Sequence, residues 1–238
     1  MAVDLTSRAV DARELMDDPH ADQDMLERTY ERFSLVNAVV SRWRSVYRRD
    51  IRPRAQQAPL RVLDVGAGGG DVSRAIAAWA SKDALPITVT ALDADPRAIQ
   101  WARGRGSAVE YRCAYTGELA DADERFDVVI SNHLLHHLSG DELAGVLRDC
   151  ARLVGDGGIV IHRDIERSRF AYRAFAAATW PFAATLLADS FIRVDGLTSI
   201  RRAYTADELA STAPSGWRVR RAFPARVELR WEASRAGS

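Results

Sequence analysis

The chain has 238 residues, of which 47% are hydrophobic and 28% charged, a composition typical of one large or two small globular domains. Its 33 basic and 33 acidic residues balance, which argues against nucleic-acid binding through bulk charge, and two cysteines are too few for a disulfide framework. The N-terminus lacks the apolar region of a signal peptide, and no run of about twenty apolar residues occurs. We therefore expect a cytoplasmic protein with no membrane span.

The first predicted element is helical. Residues 1–12 look like a loose terminus, and from Ala12 to about Arg49 apolar residues recur at spacings of three and four. A short polar linker, RPRAQQAP at 52–59, follows. We expect residues 1–55 to form an N-terminal helical lid.

Alternating strands and helices come next. The predicted strands are Leu60–Val65, Ile87–Leu92, Val109–Cys113, Phe126–Ile130 and Ile159–His162, with a turn at 155–158 before the last of them. The predicted helices are Val72–Ala80, Pro96–Arg103 and Asp141–Leu153. This alternation is typical of βαβ units in an α/β fold with a parallel sheet. It assigns residues 56–164 to a core domain.

The rest of the chain predicts an insert and a closing pair of strands. Residues 165–204 are rich in alanine and aromatic residues and should form helices interrupted at Pro181. Residues 205–238 should complete the core, because Trp217–Ala222 and Arg226–Trp231 alternate as two antiparallel strands would.

Four glycines stand directly after the first predicted strand, in VLDVGAGGGD at 62–71. Glycine loses much conformational entropy on folding, so such a cluster indicates either a tight turn or a ligand that approaches the backbone closely. Ligands of parallel sheets bind at the carboxyl ends of strands, which is where this loop lies. We therefore favour a ligand held by Gly66, Gly68 and Gly70.

Two acidic residues indicate the kind of ligand. Asp64 precedes the glycines in the order DxGxGxG, which differs from the GxGxxG of dinucleotide sites, and a carboxylate there would repel a pyrophosphate. Asp93 ends the second strand, where a carboxylate suits ribose hydroxyls. S-adenosylmethionine carries an ammonium, a sulfonium and a ribose, which matches both acids. Asp95 is expected to cap the helix that starts at Pro96 instead.

Taken in order, the segments VLDVGAGGGD, ALDADPRAI, FDVVISNHLLHHL and LVGDGGIVI resemble the class I S-adenosylmethionine-dependent methyltransferases, including the small-molecule enzymes of ubiquinone and menaquinone biosynthesis. The resemblance implies a Rossmann-like seven-stranded, mostly parallel sheet with helices on both faces and a final antiparallel hairpin. It also implies that residues 56–164 bind the cofactor S-adenosylmethionine. The expected cofactor-binding residues are Asp64, Gly66, Gly68, Gly70, Asp93, Ala94, Tyr115 and Asn132.

The end of the third strand departs from the family pattern. Many members carry an aspartate there that bonds the adenine amino group, whereas this chain reads RCAYTGEL and places Ala114 or Tyr115 at that point. We expect backbone groups and Tyr115 to hold the adenine.

The segment SNHLLHHL at 131–138 follows the fourth strand, where the family places the sulfonium and the acceptor. His133 and His137 have the spacing of a metal pair on a helix, but no glutamate lies between them and no third ligand is evident, so no metal is expected. His137 is expected to be a packed, structural histidine. His133 is the first expected catalytic residue.

His162, at the end of the fifth strand, is the second expected catalytic residue. An imidazole there would take a proton from a phenol or enol near neutral pH. The alternative, a partly buried structural histidine, stays open. The following Arg163 and Asp164 would either position a substrate or pair with each other.

The acceptor pocket should be covered by aromatic residues of the lid and the insert, which form an apolar cover for a hydrophobic partner. These are Tyr30, Phe33, Trp43, Phe170, Tyr172, Phe175, Trp180, Phe182 and Phe191. The run FSLVN at 33–37 resembles a segment that precedes the cofactor loop in quinone-biosynthesis methyltransferases. The NPPY-type motif of methyltransferases acting on nucleic-acid bases is absent, since SNHL stands there.

The expected function is transfer of the S-adenosylmethionine methyl group to oxygen or carbon of a hydrophobic or aromatic small molecule such as a phenol, quinol or polyketide. Two alternatives remain. An NAD-linked oxidoreductase could use the same sheet, although the GxGxxG spacing is missing. A methyltransferase-like module could also bind cofactor without turnover.

Overall fold

The computed structural model describes residues 3–40, 42–106 and 108–234, except the side chains of residues 34–40. A seven-stranded sheet with the order β3-β2-β1-β4-β5-β7-β6 runs through it. Its strands are β1 Leu60–Val65, β2 Ile87–Asp93, β3 Val109–Cys113, β4 Phe126–Asn132, β5 Val154–Ile165, β6 Arg218–Ala222 and β7 Arg226–Glu232. Strands β1 to β5 pair in parallel, and β7 is antiparallel to both of its neighbours. The predicted Rossmann-like sheet with a closing antiparallel hairpin is confirmed.

Helices cover both faces of this sheet. They are α1 Gln23–Val40, α2 Trp43–Val46, α3 Arg52–Ala55, α4 Asp71–Lys82, α5 Pro96–Arg103, α6 Thr116–Asp121, α7 Gly140–Leu153, α8 Arg169–Thr179, α9 Ile192–Arg202 and α10 Ala206–Thr212. Helix α5 begins at Pro96 because Asp95 accepts a hydrogen bond from the backbone N–H of Arg97 at 2.8 Å. The predicted N-cap role of Asp95 is confirmed.

Two predictions for the N-terminal part are wrong. Residues 52–59 are not a linker throughout, because α3 continues the chain after a π-helical turn at Tyr47–Ile51, and Pro53 occupies its first turn, where a missing N–H is tolerated. The terminus from residue 3 onward is not loose. Arg8 donates to the carbonyl oxygens of Arg202 at 2.7 Å and Leu138 at 3.1 Å, and its guanidinium lies 3.5 Å from the centre of the Tyr204 ring.

The predicted lid of residues 1–55 has two kinds of packing. Helix α1 faces the cavity described below, whereas residues 43–55 pack on the sheet. The buried side chains of this second part join a cluster with β1, β2, α4 and α5; they are Trp43, Val46, Tyr47, Ile51 and Ala55. The packing therefore makes residues 43–55 part of the core.

The predicted turn at 155–158 is part of β5. Phe126 of β4 is paired with Val154, whereas Val128 is paired with Ile159, so the glycine run is an irregularity in the β4–β5 register.

Among the described residues, no helix is both long and apolar enough to cross a membrane.

Replacing Trp43 tests whether this part of the chain is core. Trp43 is 2% exposed and Trp180, in the insert, is 73% exposed. We expect Trp43→Ala to lower the free energy of unfolding by about 3–5 kcal/mol, because it leaves a cavity beside the sheet. Trp180→Ala is the control and should change it by less than about 1 kcal/mol. Urea unfolding followed by circular dichroism measures both; equal effects would contradict the assignment.

Candidate active site

A cavity of about 470 Å³ lies at the edge of the sheet where β1, β2 and β4 end. Parallel strands bind ligands at this edge, and the volume is in the range of small-molecule sites. The cavity brings together most of the predicted site residues: Asp64, Gly66, Gly68, Asp93, Ala94, Tyr115, Asn132 and His133. Gly70 and His162 are not among its lining residues.

The glycine loop has the left-handed backbone that glycine favours, with φ of +64° at Gly66, +52° at Gly68 and +72° at Gly70. A Cβ at Gly66 would lie 2.8 Å from Leu134, and one at Gly70 would lie 2.8 Å from Tyr111. At Gly68 a Cβ would meet no atom within 4 Å. The lack of a side chain at Gly66 and Gly70 therefore allows Leu134 and Tyr111 to pack against the loop. The lack of a side chain at Gly68 leaves open space beside the backbone in the cavity.

Asp93 borders the cavity and is hydrogen-bonded to the glycine loop. Its Oδ2 accepts a hydrogen bond from the backbone N–H of Gly68 at 2.7 Å, and its Oδ1 accepts one from Asp95 at 2.9 Å. Burial raises the pKa of Asp93, and these two donors oppose that rise. Each carboxylate oxygen keeps a further lone pair, so the side chain can shape the loop and still accept from ribose hydroxyls.

Asp64 lies deeper, beneath the loop. Its Oδ2 accepts a hydrogen bond from the hydroxyl of Ser73 at 2.6 Å, which ties the end of β1 to α4. Burial raises the pKa of Asp64 to about 7, and the negative charges of Asp71 and Asp93 add to the rise. The structure therefore gives Asp64 the position of a loop anchor. Contact with a methionine amine stays a prediction.

Asn132 ends β4 and offers an unused acceptor. Its Oδ1 is buried and has no hydrogen-bond partner among the described residues. A buried amide oxygen usually has a partner, so this one fits a donor brought by a ligand. An open space at Gly68, a carboxylate at Asp93 and a free acceptor at Asn132 together fit a nucleoside that carries an ammonium group, as S-adenosylmethionine does.

Tyr115 borders the cavity at its outer end. The side chain is exposed, and the residue precedes α6, where its backbone N–H donates to Glu118 at 2.7 Å. Ala114 lies beside it in the cavity wall. The role of Tyr115 toward adenine stays a prediction.

His133 borders the cavity but is held by Arg226, whose Nη2 donates to His133 Nε2 at 2.9 Å. Nδ1 lies 3.7 Å from Asp164, so this ring nitrogen carries the proton of the neutral ring. Burial, with the charge of Arg226, lowers the pKa of His133 to about 3. Because Arg226 occupies the lone pair that a base would use, the geometry does not support the expected base role.

His162 lies away from the cavity. It is fully buried, its Nδ1 is 2.7 Å from the hydroxyl of Ser131, and its ring stacks on Trp217 with centroids 5.6 Å apart. Burial lowers its pKa to about 3. Of the two interpretations of His162, the structure favours the structural one, because its ring contacts Ser131 and Trp217 and does not border the cavity.

The histidine that sequence reasoning missed is His136, which is 2% exposed and borders the cavity. Its Nδ1 lies 2.8 Å from Asp164 Oδ1, and its Nε2 lies 3.3 Å from Glu14 Oε1. Burial lowers the pKa of His136, but the two carboxylates outweigh this and raise it to about 10. His136 is therefore an imidazolium between two buried carboxylates.

The N-terminal segment closes the cavity through this group. Glu14 also accepts from the hydroxyl of Ser199 in α9 at 2.8 Å. Asp195, in the same helix, accepts from the backbone N–H groups of Leu15 at 2.8 Å and Met16 at 2.9 Å. These contacts join residues far apart in the chain, so spacing in the sequence carries no signal for them.

Two groups of side chains have the composition of a metal site: Glu14 with His136 and His137, and His133 with His136 and Asp164. Their possible ligand atoms lie within 4.8 Å of one another. The third ligand that sequence reasoning did not find, Glu14, comes from the N-terminal segment. Residues 135–137 form a 3-10 turn, so His133 and His137 do not share an α-helix face. The absence of a metal stays a prediction.

Three of the expected lid aromatics border the cavity: Tyr30, Phe33 and Phe175. The others have different surroundings. Trp43 is in the core and Phe191 packs beside Leu26, whereas Phe170, Trp180 and Phe182 are exposed. Of the FSLVN run, Phe33 is described, and the side chains of 34–37 lie outside the described residues.

Known proteins share this core. Residues 63–162 match the family model described as a methyltransferase domain. The ubiquinone biosynthesis O-methyltransferase of Rhizobium leguminosarum bv. trifolii is 34% identical over 113 residues, which cover 46% of this chain and 42% of that protein. The enzyme of the same name from Cereibacter sphaeroides is 35% identical over 126 residues, which cover 51% and 48%. The matches thus span less than half the length of these curated relatives.

Solved structures extend the likeness to the whole fold. The plantazolicin methyltransferase BpumL, in complex with SAH, has a TM-score of 0.58 at 11% identity and covers 93% of each chain. An O-methyltransferase family protein from Burkholderia thailandensis has a TM-score of 0.54 at 17% identity and covers 93% of this chain and 62% of that one. At these identities the likeness shows the fold, which is that of the class I methyltransferases.

The charge on His136 predicts a pH-dependent stability. Its folded pKa of about 10 exceeds the unfolded value of about 6.5, so its contribution is complete below pH about 6.5 and is lost as the pH rises toward about 10. We expect His136→Gln to lower the free energy of unfolding by about 3 kcal/mol at the acidic end of this window and by less at the alkaline end.

Urea unfolding across this pH range measures the difference. His137→Gln is the control, since His137 is half-buried and contacts Asp17 at 3.2 Å. The loss for His136→Gln should exceed that for His137→Gln, because His136 is 2% exposed and lies between two buried carboxylates. A pH-independent difference for His136→Gln would contradict a buried imidazolium.

Proposed function

We propose that this chain, whose core is a class I methyltransferase domain, binds S-adenosylmethionine and transfers its methyl group to oxygen of a hydrophobic or aromatic small molecule. The observation that carries the proposal is the open space at Gly68, next to the Asp93 carboxylate, in a cavity that continues to apolar walls. The curated relatives named as O-methyltransferases support an oxygen acceptor.

The cofactor half of the cavity uses residues near in sequence. Asp93 would accept from the ribose hydroxyls, while Gly68 allows the nucleoside to approach the backbone. Asn132 would accept from the ammonium group with its unpaired Oδ1. When bound, S-adenosylmethionine supplies a methyl group activated by the adjacent sulfonium.

The acceptor half is lined by apolar residues of α1, β5, α8 and α9 and of the segment that follows β4. These are Phe33, Leu134, Leu138, Ile165, Phe175, Ile192 and Ile200. Such walls exclude water and favour a phenol, quinol or polyketide-like ring, which is the finer substrate class that we propose. Orientation of the acceptor oxygen toward the sulfonium would supply much of the rate.

Binding of S-adenosylhomocysteine tests the cofactor half. Gly68→Ala places a methyl group in the open space, so we expect affinity to fall by at least about tenfold. Gly106→Ala is a matched control, because Gly106 has φ of +53° and its Cβ would also meet no atom within 4 Å, but it lies outside the cavity lining. Both variants should lose a similar amount of stability, about 1–2 kcal/mol.

Isothermal titration calorimetry gives the affinities. Equal affinity in both variants would remove the loop from cofactor binding. NAD is the second probe, and binding of NAD in place of S-adenosylhomocysteine would favour the oxidoreductase alternative.

Methyl transfer itself separates an enzyme from a binding module. We expect the wild-type protein to move label from S-adenosylmethionine, labelled in its methyl group, to members of a panel of phenols and quinols. Asp93→Asn should lower kcat/KM by about tenfold or more, because a charge-assisted contact to the ribose is lost. Cofactor binding without labelled product from any acceptor would support the non-catalytic alternative.

A further inference from the structure

Arg226 is a fully buried arginine in the wall of the cavity. It is the first residue of β7, paired with Ile165 at the end of β5, and it is 1% exposed. Both Arg226 and Ile165 line the cavity. Arginine is rarely buried to this extent without a carboxylate partner. The hydrogen-bond partners of the Arg226 guanidinium therefore indicate the role of its charge.

Within the described part of the chain, Arg226 makes one side-chain hydrogen bond, from Nη2 to the neutral ring of His133. Its Nε and Nη1 are buried and have no partner there. The guanidinium is therefore held in place at one nitrogen while its other N–H groups stay unpaired.

The charge of Asp164 raises the pKa of Arg226, but within the described part of the chain Asp164 forms no hydrogen bond with it. Asp164 accepts from the backbone N–H of Ile165 at 2.7 Å and from the backbone and ring N–H groups of His136 at 2.9 and 2.8 Å. The Asp164 oxygens are thus hydrogen-bonded to His136 and Ile165, and the His136 imidazolium is shared with the carboxylate of Glu14. Burial and the charge of Arg163 lower the pKa of Arg226 to about 10, and at neutral pH the guanidinium is still protonated.

We propose that Arg226 binds an ionised oxygen of the methyl acceptor, either a carboxylate or a phenolate. Guanidinium N–H groups form short, charge-assisted hydrogen bonds with such oxygens, and a dry site strengthens them. This inference rests on the proposed function and narrows its substrate class to acceptors that are anions when bound.

The two sources of the oxygen have different consequences. A carboxylate bound at Arg226 orients the acceptor and takes no part in the reaction. A phenolate bound there is itself the nucleophile: its proton has left to water, its O–CH₃ bond forms as the S–CH₃ bond breaks, and the electron pair of the broken bond stays on sulfur. In both cases Arg226 replaces water around the anion.

The test compares protocatechuate with its methyl ester, a pair that differs in the carboxylate and shares the phenols. The variants are Arg226→Met, which removes the charge, and Arg226→Lys, which keeps it. Arg163→Met is the matched control, since Arg163 is buried in the neighbouring strand but does not line the cavity. Each variant is first titrated with S-adenosylhomocysteine, which should bind with unchanged affinity.

If Arg226 holds the carboxylate, the wild-type protein prefers the acid in kcat/KM by about tenfold to a hundredfold, and Arg226→Met loses that preference. Arg226→Lys retains part of it and Arg163→Met all of it. If Arg226 holds the phenolate, Arg226→Met slows both compounds and moves the alkaline rise of kcat/KM to higher pH. Equal slowing of both compounds without a shift of the pH profile overturns the proposal.

A second measurement uses the wild-type protein, in case Arg226→Met does not fold. The Nε–H of a buried arginine gives a separate NMR signal, which Arg226→Lys identifies by its absence. Protocatechuate, added with S-adenosylhomocysteine, should shift this signal, and the methyl ester should do so only if the phenolate is bound. A signal that neither compound moves overturns the proposal. This readout needs no turnover, so it separates failure of the anion site from failure of methyl transfer.

Discussion

The cavity depends on one buried charge arrangement, the imidazolium of His136 between the carboxylates of Asp164 and Glu14. Asp164 belongs to β5, His136 to the turn after β4, and Glu14 to the N-terminal segment, so three separate parts of the chain meet at one ring. Removing one partner of such a group leaves a buried charge without compensation, which is far more costly than losing a surface ion pair. The same group therefore fixes the sheet edge and closes the cavity.

This arrangement also decides the charge state of the acceptor half. Because the oxygens of Asp164 accept from His136 and Ile165, Arg226 makes its one side-chain hydrogen bond within the described part of the chain to the neutral ring of His133. The Arg226 guanidinium thus borders the cavity with Nε and Nη1 unpaired among the described residues. The same cavity is lined partly by apolar side chains and partly by carboxylates, among them Glu14 and Asp93. Replacing a buried charged side chain by an apolar one of similar volume is often neutral or stabilising, so stability alone does not explain an arginine at this position. The buried charge therefore favours a role in ligand binding.

The cofactor half could be read from the sequence because its signals are local. Gly66, Gly68 and Gly70 alternate within one turn, Asp93 ends the next strand, and Asp95 lies one residue before a helix-initiating proline. Each depends on backbone geometry over a few residues, which residue type reports directly. The acceptor half could not be read in this way. The Glu14–His136 contact and the position of Arg226 arise from packing between elements that are distant in the sequence. The three histidines of the segment 131–138 have similar sequence surroundings, and only the fold determines that His136 is the buried one.

The positions and hydrogen-bond partners of the histidines determine whether one of them can take a proton from the acceptor. His162 lies away from the cavity, His136 already carries a proton between two carboxylates, and the lone pair of His133 accepts from Arg226. His137, the remaining histidine of this segment, lies beside Asp17 under the N-terminal segment. Among the described residues, then, the histidines that the sequence marked as bases are committed elsewhere. An acceptor that ionises before it binds needs no such base, and a guanidinium with unpaired N–H groups is the feature that would stabilise its anion.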